Sequence, residues 1–175
     1  IIRYPALRVF ECLVRVGEGW QGHKAGQFAF VTSNESEGAH PYTIASGWDP
    51  ESRSMKFVVK ELGDHTRRVS RSLHEGIMVA LEGPYGGFDF EDSCRTQIWV
   101  GAGIGITPFI ARMNVLARNP DGRSVYLFHA TADIDEDALN KLRADAESAG
   151  VNLIIRCSKT DGRLTPRDIR DAVPD

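Results

Sequence analysis

The sequence predicts two domains: an antiparallel β-barrel or sandwich, then a doubly wound parallel α/β domain that is incomplete at its C-terminus. Two observations carry this. Up to about residue 90, short apolar or alternating runs are separated by Gly, Asn and Pro clusters, the pattern of an all-β unit. From about residue 95 the chain alternates strand and helix patterns three times, with a glycine-rich turn after the first strand. The boundary falls at 92/93, giving domains 1–92 and 93–175.

In the first half, Ala6 to Val16 is a long strand candidate. Gln27 to Thr32, Tyr42 to Ala45, Met55 to Glu61 and Ile77 to Glu82 follow as shorter ones. The punctuation is Gly17-Glu18-Gly19, Asn34 to Gly38, Gly47-Trp48-Asp49-Pro50 and Glu75-Gly76. Thr66 is a good N-cap for a short helix over Arg67 to Leu73, placed to cover an open barrel end.

The second half opens with the strand Ile98 to Val100 and a helix over Pro108 to Ala117. The strand Ser124 to Ala130, the helix Asp135 to Ala149 with Gly150 as its stop, and the strand Val151 to Cys157 follow. Thr165 and Asp168 form a capping box for a last helix. Three strands make a thin sheet, so further strands are expected past Asp175. With no initiator Met, the chain reads as a piece of something longer.

Composition narrows the function. Hydrophobic residues at 42% and charged residues at 26% are ordinary for a globular protein, and the net charge of −3 gives no electrostatic case for nucleic acid. The three cysteines are scattered without a C-x-x-C, too few for a resident iron–sulfur cluster, and fit a reducing compartment. The five histidines show no metal-ligand spacing, so no metal site is expected. The longest uncharged run, Thr96 to Ala111, is too short to cross a bilayer.

Gly101-Ala102-Gly103-Ile104-Gly105-Ile106-Thr107-Pro108 is the stretch best suited to chemistry. A strand, a glycine turn and a helix start bring main-chain N–H groups and the positive end of a helix dipole to one place, which suits a diphosphate. The spacing departs from the dinucleotide fingerprint, because Ile106 occupies its third glycine position.

His40-Pro41-Tyr42-Thr43 resembles the flavin-binding strand of the ferredoxin–NADP⁺ reductase superfamily, in the form of its ferric reductase and NADPH oxidase branch. His40 stands where the usual superfamily pattern has arginine. The resemblance implies that Tyr42 packs against the flavin and that the Thr43 hydroxyl lies near flavin N5. Val59-Lys60 through Gly63 to Thr66 resembles the segment that follows the fourth barrel strand and holds the FAD diphosphate, with Lys60 and Arg67 nearby. Gly83-Pro84-Tyr85-Gly86 resembles the corner leading out of the barrel. The glycine turn resembles the pyridine-nucleotide loop, which places Thr107 beside the nicotinamide. Ser158 and Lys159, with Arg163, resemble the cluster that takes the 2′-phosphate of NADPH.

The resemblance implies that the first domain is an antiparallel six-stranded Greek-key β-barrel for FAD and the second a doubly wound parallel α/β nucleotide-binding domain for NAD(P)H. It further implies a flavoprotein oxidoreductase that moves a hydride from NADPH to FAD and passes single electrons onward, with Thr43 and Thr107 at the reacting atoms. In the branch named, the acceptor is haem of an N-terminal membrane domain, which would put the chain on the cytoplasmic face. The alternatives are a soluble ferredoxin or oxygenase reductase serving an iron–sulfur partner, and a flavin-holding electron-transfer subunit that takes no NAD(P)H. FMN in place of FAD and NADH in place of NADPH stay open.

Overall fold

The computed structural model describes residues 1–174. Its first half holds six strands: β1 (Ile2–Tyr4), β2 (Val9–Arg15), β3 (Phe28–Thr32), β4 (His40–Thr43), β5 (Ser54–Lys60) and β6 (Ala80–Tyr85). They form two antiparallel three-stranded sheets, β1-β2-β5 and β4-β3-β6. A single bridge, Ile44 to Phe57, joins the sheets, so the barrel order runs 1-2-5-4-3-6. Helix α1 (Asp64–Ser72) lies between β5 and β6.

Alternation explains the core. Along β5, Met55, Phe57 and Val59 are buried, while Ser54, Lys56, Val58 and Lys60 are only half-buried. The inward set packs with Phe10, Trp20, Ala29 and Ile44. The barrel interior opens into a cavity of about 1310 Å³, with Phe10, Cys12, Tyr42, Phe57 and Leu81 on its wall.

Three element boundaries differ from expectation. Ala6 to Val16 is not one strand: a 3-10 turn at Pro5–Leu7 and Arg8 at φ 52° break it, so the chain doubles back and β1 pairs with β2. β6 begins at Ala80 and runs through Pro84, so the expected corner lies within the strand; it is an edge strand paired only with β3, where a missing N–H is tolerated. Helix α1 starts at Asp64, and Thr66 is its third residue rather than its N-cap.

The second half holds β7 (Thr96–Ala102), α2 (Thr107–Arg118), β8 (Ser124–Thr131), α3 (Glu136–Ser148), β9 (Val151–Cys157) and α4 (Pro166–Ala172). The strands pair in parallel, β7-β8-β9. Phe109, Met113 and Leu116 of α2 and Leu142 and Ala146 of α3 pack with Trp99 and Leu127 of the sheet. On the alternate positions of β7, Ile98 and Val100 remain 48% and 49% exposed. The Thr165–Asp168 capping box forms as predicted. The further strands expected past Asp175 lie outside the described residues.

The two halves are keyed together. Ala25 and Phe90 join the core of the α/β half, and a Cβ on Gly26 would stand 2.3 Å from the Phe88 carbonyl oxygen. Lys141 of α3 donates to Glu11 of β2 at 2.6 Å, and Lys56 lies 3.6 Å from the same carboxylate. Burial disfavours the Lys141 ammonium, but Glu11 more than offsets it and its pKa is raised.

Candidate functional site

The β4 strand pairs with β3 through Phe28↔Thr43, Ala29↔Tyr42, Phe30↔Pro41 and Val31↔His40. Its other edge meets β5 only beyond the strand, at Ile44, so His40–Thr43 present an edge without a ladder partner among the described residues. Strand alternation sends Tyr42 and His40 to one face, Thr43 and Pro41 to the other. A ligand touching both Tyr42 and Thr43 must therefore lie along this edge.

Tyr42 is half-buried, edge-on to Phe57 at 6.2 Å, and its hydroxyl lies 3.0 Å from His65 Nε2 on α1. Burial raises its pKa, so it stays a phenol at neutral pH. The other face of the His65 ring stack is His40, with centroids 3.5 Å apart and planes at 17°. His65 Nδ1 bonds the Glu37 carboxylate, and His40 Nε2 lies 3.2 Å from the Glu37 main-chain oxygen.

The start of α1 is built around Thr66. Its hydroxyl accepts from the N–H groups of Leu62 (3.0 Å) and Gly63 (3.2 Å), which folds the entry loop over and leaves the first-turn amides of the helix for an external acceptor. Gly63 has an extended φ of −144°, and nothing lies within 4 Å of where its Cβ would be. Neither conformation nor packing requires glycine there. The Asp64 carboxylate is exposed at the same helix start and is offset by Arg67 at 2.8 Å.

The glycine turn is a 3-10 segment, Gly103–Ile106, leading into α2 with Pro108 in its first turn. Its glycines have separate causes. A Cβ on Gly101 would stand 3.0 Å from Ile106 Cα and 3.2 Å from the Phe109 ring, so β7 and the turn could not approach. Gly103 is left-handed at φ 52°. Gly105 is exposed, with no neighbour within 4 Å of its Cβ position and no positive φ. As at Gly63, neither conformation nor packing demands a glycine there.

Several predicted residues lie elsewhere than a joint site requires. Val59 points into the barrel core at 6% exposure, so only its main chain can meet a ligand. Lys60 points the other way, into a crevice of about 110 Å³ between the halves, lined also by Gly103, Ile104, His129 and Asp133. It is turned from the His40 cluster toward the α/β half. Thr107 is buried at 2% exposure, and its hydroxyl donates to the Ile104 carbonyl at 2.7 Å; it braces the turn instead of facing the crevice. Ser158, Lys159 and Arg163 are exposed beyond β9, and Lys159 donates to Asp133 Oδ1 at 2.6 Å.

Comparisons with known proteins converge on one family. Residues 12–88 match an FAD-binding domain family. Ferric reduction oxidase 5 of Arabidopsis thaliana is 35% identical over 92 residues, 50% of this chain and 13% of that protein. NADH-cytochrome b5 reductase 2 of Yarrowia lipolytica is 31% identical over 123 residues, 67% of this chain and 40% of that protein. A ferredoxin NADP⁺ reductase from Neisseria gonorrhoeae, crystallised with bound FAD and NADP, shares the fold at a TM-score of 0.75 and 17% identity, covering 97% of this chain and 72% of that one.

Residues 12–88 belong to an FAD-binding domain family, and the chain has the fold of the ferredoxin–NADP⁺ reductases. It spans well under half the length of the two curated relatives just described. Two helix starts, one entered through Gly63 and one through Gly105, have open space beside the glycine, and the first turn of a helix attracts an anion. No helix among the described residues is long and apolar enough to cross a membrane.

No sequence feature assigns a role to Glu37, or to His65 beyond its place in the segment that opens α1. Glu37 sits in a 3-10 turn (Glu35–Glu37) and is 28 residues from its partner. No periodicity or spacing marks such a pair. Asp133 and Lys159 likewise lie 26 residues apart, and no local pattern marks their bond.

Proposed function

We propose that this chain is the flavin- and nucleotide-binding part of an NAD(P)H-dependent reductase, with the FAD-binding half at residues 1–92 and the pyridine-nucleotide half from residue 93. The observation that carries this reading is the pair of glycines, Gly63 and Gly105, that the fold itself does not need. Each stands at a helix start, one in each half.

When bound, the two cofactors supply the chemistry: a hydride passes from the nicotinamide to the flavin, and electrons leave singly for an acceptor. The chain's part is to hold and to exclude water. The first turn of α1 takes the FAD diphosphate, Tyr42 supplies an aromatic wall and Thr43 a hydroxyl at the β4 edge. Gly103 and Gly105 let a nucleotide diphosphate approach the main chain. Thr107 keeps the turn in shape. Lys60 brings a cation to the crevice from the barrel side.

The likeness to a ferric reduction oxidase supports, as the acceptor, haem of a membrane domain elsewhere in the full protein that passes electrons to ferric iron or oxygen, with this chain on the cytoplasmic face. A specific observation favours a second reading for the donor. Asp133 holds Lys159, and a carboxylate at this place suits the ribose diol of NADH better than a 2′-phosphate.

The test is a visible absorption spectrum of the chain with FAD, then with anaerobic NADPH or NADH. A bound flavin band that bleaches with either nucleotide supports both halves of the reading. Failure to bind flavin overturns it.

A further inference from the structure

Glu37, His65 and Tyr42 form a chain of hydrogen bonds that the flavin reading does not use. A carboxylate only accepts, so the His65 Nδ1 that bonds Glu37 carries the proton. In the tautomer with its one proton on Nδ1, Nε2 is an acceptor, and the Tyr42 hydroxyl 3.0 Å away donates to it. Glu37 is itself held by Arg68 Nε at 2.7 Å, and first Arg68, then His65, keep its carboxyl below the usual range. His40 stacks on the imidazole and is tied to the Glu37 main chain. The groups against His65 are thus Glu37 from the 3-10 turn and His40 and Tyr42 from β4, with Arg68 of its own helix bonded to Glu37 and the Asp64–Arg67 pair beside it on the helix. Cys12 of β2 lies near Tyr42.

We infer that His65, oriented by Glu37, is a positioning residue for Tyr42: it locks the phenol ring in the pose that walls the flavin. The inference rests on the reading of β4 as the flavin strand. Rotation about the first side-chain torsion of a half-buried tyrosine carries its ring and hydroxyl through a wide arc between staggered positions. Anchoring the hydroxyl removes that freedom before ligand arrives, and a preorganised wall binds more tightly than one that must be ordered. Residues 37, 40, 42 and 65 come from three separate elements, so the lock also draws the 3-10 turn, β4 and the start of α1 to one place.

The experiment uses the whole chain in two measurements. In the first, ¹⁵N NMR of the flavin-free chain assigns the His65 tautomer. The Nδ1–H form is expected, with the Nε2 resonance moving in Tyr42→Phe; an Nε2–H ring overturns the lock. In the second, FAD dissociation constants are compared for wild type, His65→Leu, His65→Gln, Tyr42→Phe and the His65→Leu/Tyr42→Phe double variant. His65→Leu is expected to weaken FAD binding about three- to tenfold, the range of one hydrogen bond. Gln, which can donate to Glu37 and accept from Tyr42, restores most of it. The double variant should be within about twofold of Tyr42→Phe alone, because the two groups act as one. Additive losses, or no rescue by Gln, overturn the inference while leaving flavin binding in place. A wild-type chain that binds no FAD, or a Tyr42→Ala variant that binds it normally, overturns the flavin reading and this inference with it.

Discussion

Lys159 Nζ donates to Asp133 Oδ1 at 2.6 Å, joining the turn after β9 to the turn after β8 at the carboxyl ends of the parallel strands. That bond holds the Asp133 carboxyl below the ordinary carboxylate range and raises the Lys159 pKa. Both groups are therefore charged at neutral pH where a nucleotide ribose would lie. Asp133→Asn removes the carboxylate and leaves the ammonium to a 2′-phosphate. The ratio of kcat/KM for NADPH over NADH should rise roughly three- to tenfold. Stopped-flow reduction of bound flavin by the two nucleotides checks this, and an unchanged ratio would place the ribose elsewhere.

The glycines of the turn should separate stability from binding. Gly105→Ala meets no neighbour and should leave thermal stability within about 0.5 kcal/mol of wild type, yet slow flavin reduction by NAD(P)H about tenfold or more. Gly101→Ala drives a methyl to 3.0 Å from Ile106 Cα and should cost about 1–3 kcal/mol by denaturant unfolding. Equal losses of stability from both would show that Gly105 serves the fold.

At the joint between the halves, Glu11 serves two ammonium groups, Lys56 and Lys141, with its own side chain only 12% exposed. Glu11→Ala leaves both without their shared carboxylate. It should destabilise the protein by about 1–3 kcal/mol, more than Lys141→Ala, which removes only one partner. Calorimetry of the two variants gives the comparison, and equal effects would mean that Lys56 takes no part.

A buried imidazole, His129, and a half-buried one, His23, predict acid sensitivity. Burial lowers the pKa of His23 and His129 below the ordinary 6.5, opposed by the Ser46 and Gly101 carbonyls respectively. A lowered folded value means that the unfolded chain binds more protons in this window. The stabilisation is fully present above pH 6.5 and is lost as pH falls through the folded value. His23 Nδ1 is buried with no partner among the described residues, so protonation there places a charge without an acceptor. Tm should fall between pH 7 and 5, and His129→Asn or His23→Gln should each flatten the slope. A Tm independent of pH across that range would refute this.

What the sequence by itself determined was everything that repeats or sits close along the chain. The period-two burial of Met55, Phe57 and Val59, the glycine turn at Gly101–Gly105 and the Thr165–Asp168 cap depend on neighbours a few residues away, and each was readable. Motif order carried the family. Thr66 was legible as a helix start but not as the residue three places inside it, because Gly63 needs no side chain to begin the helix. Only the tertiary structure decided the pairings. Glu37 with His65, Asp133 with Lys159 and Glu11 with Lys141 span 28, 26 and 130 residues. The register Val9↔Lys60 sends Lys60 to the crevice and Val59 into the core. Such contacts depend on which strands become neighbours and in what register, and packing of the whole chain, not local preference, sets both.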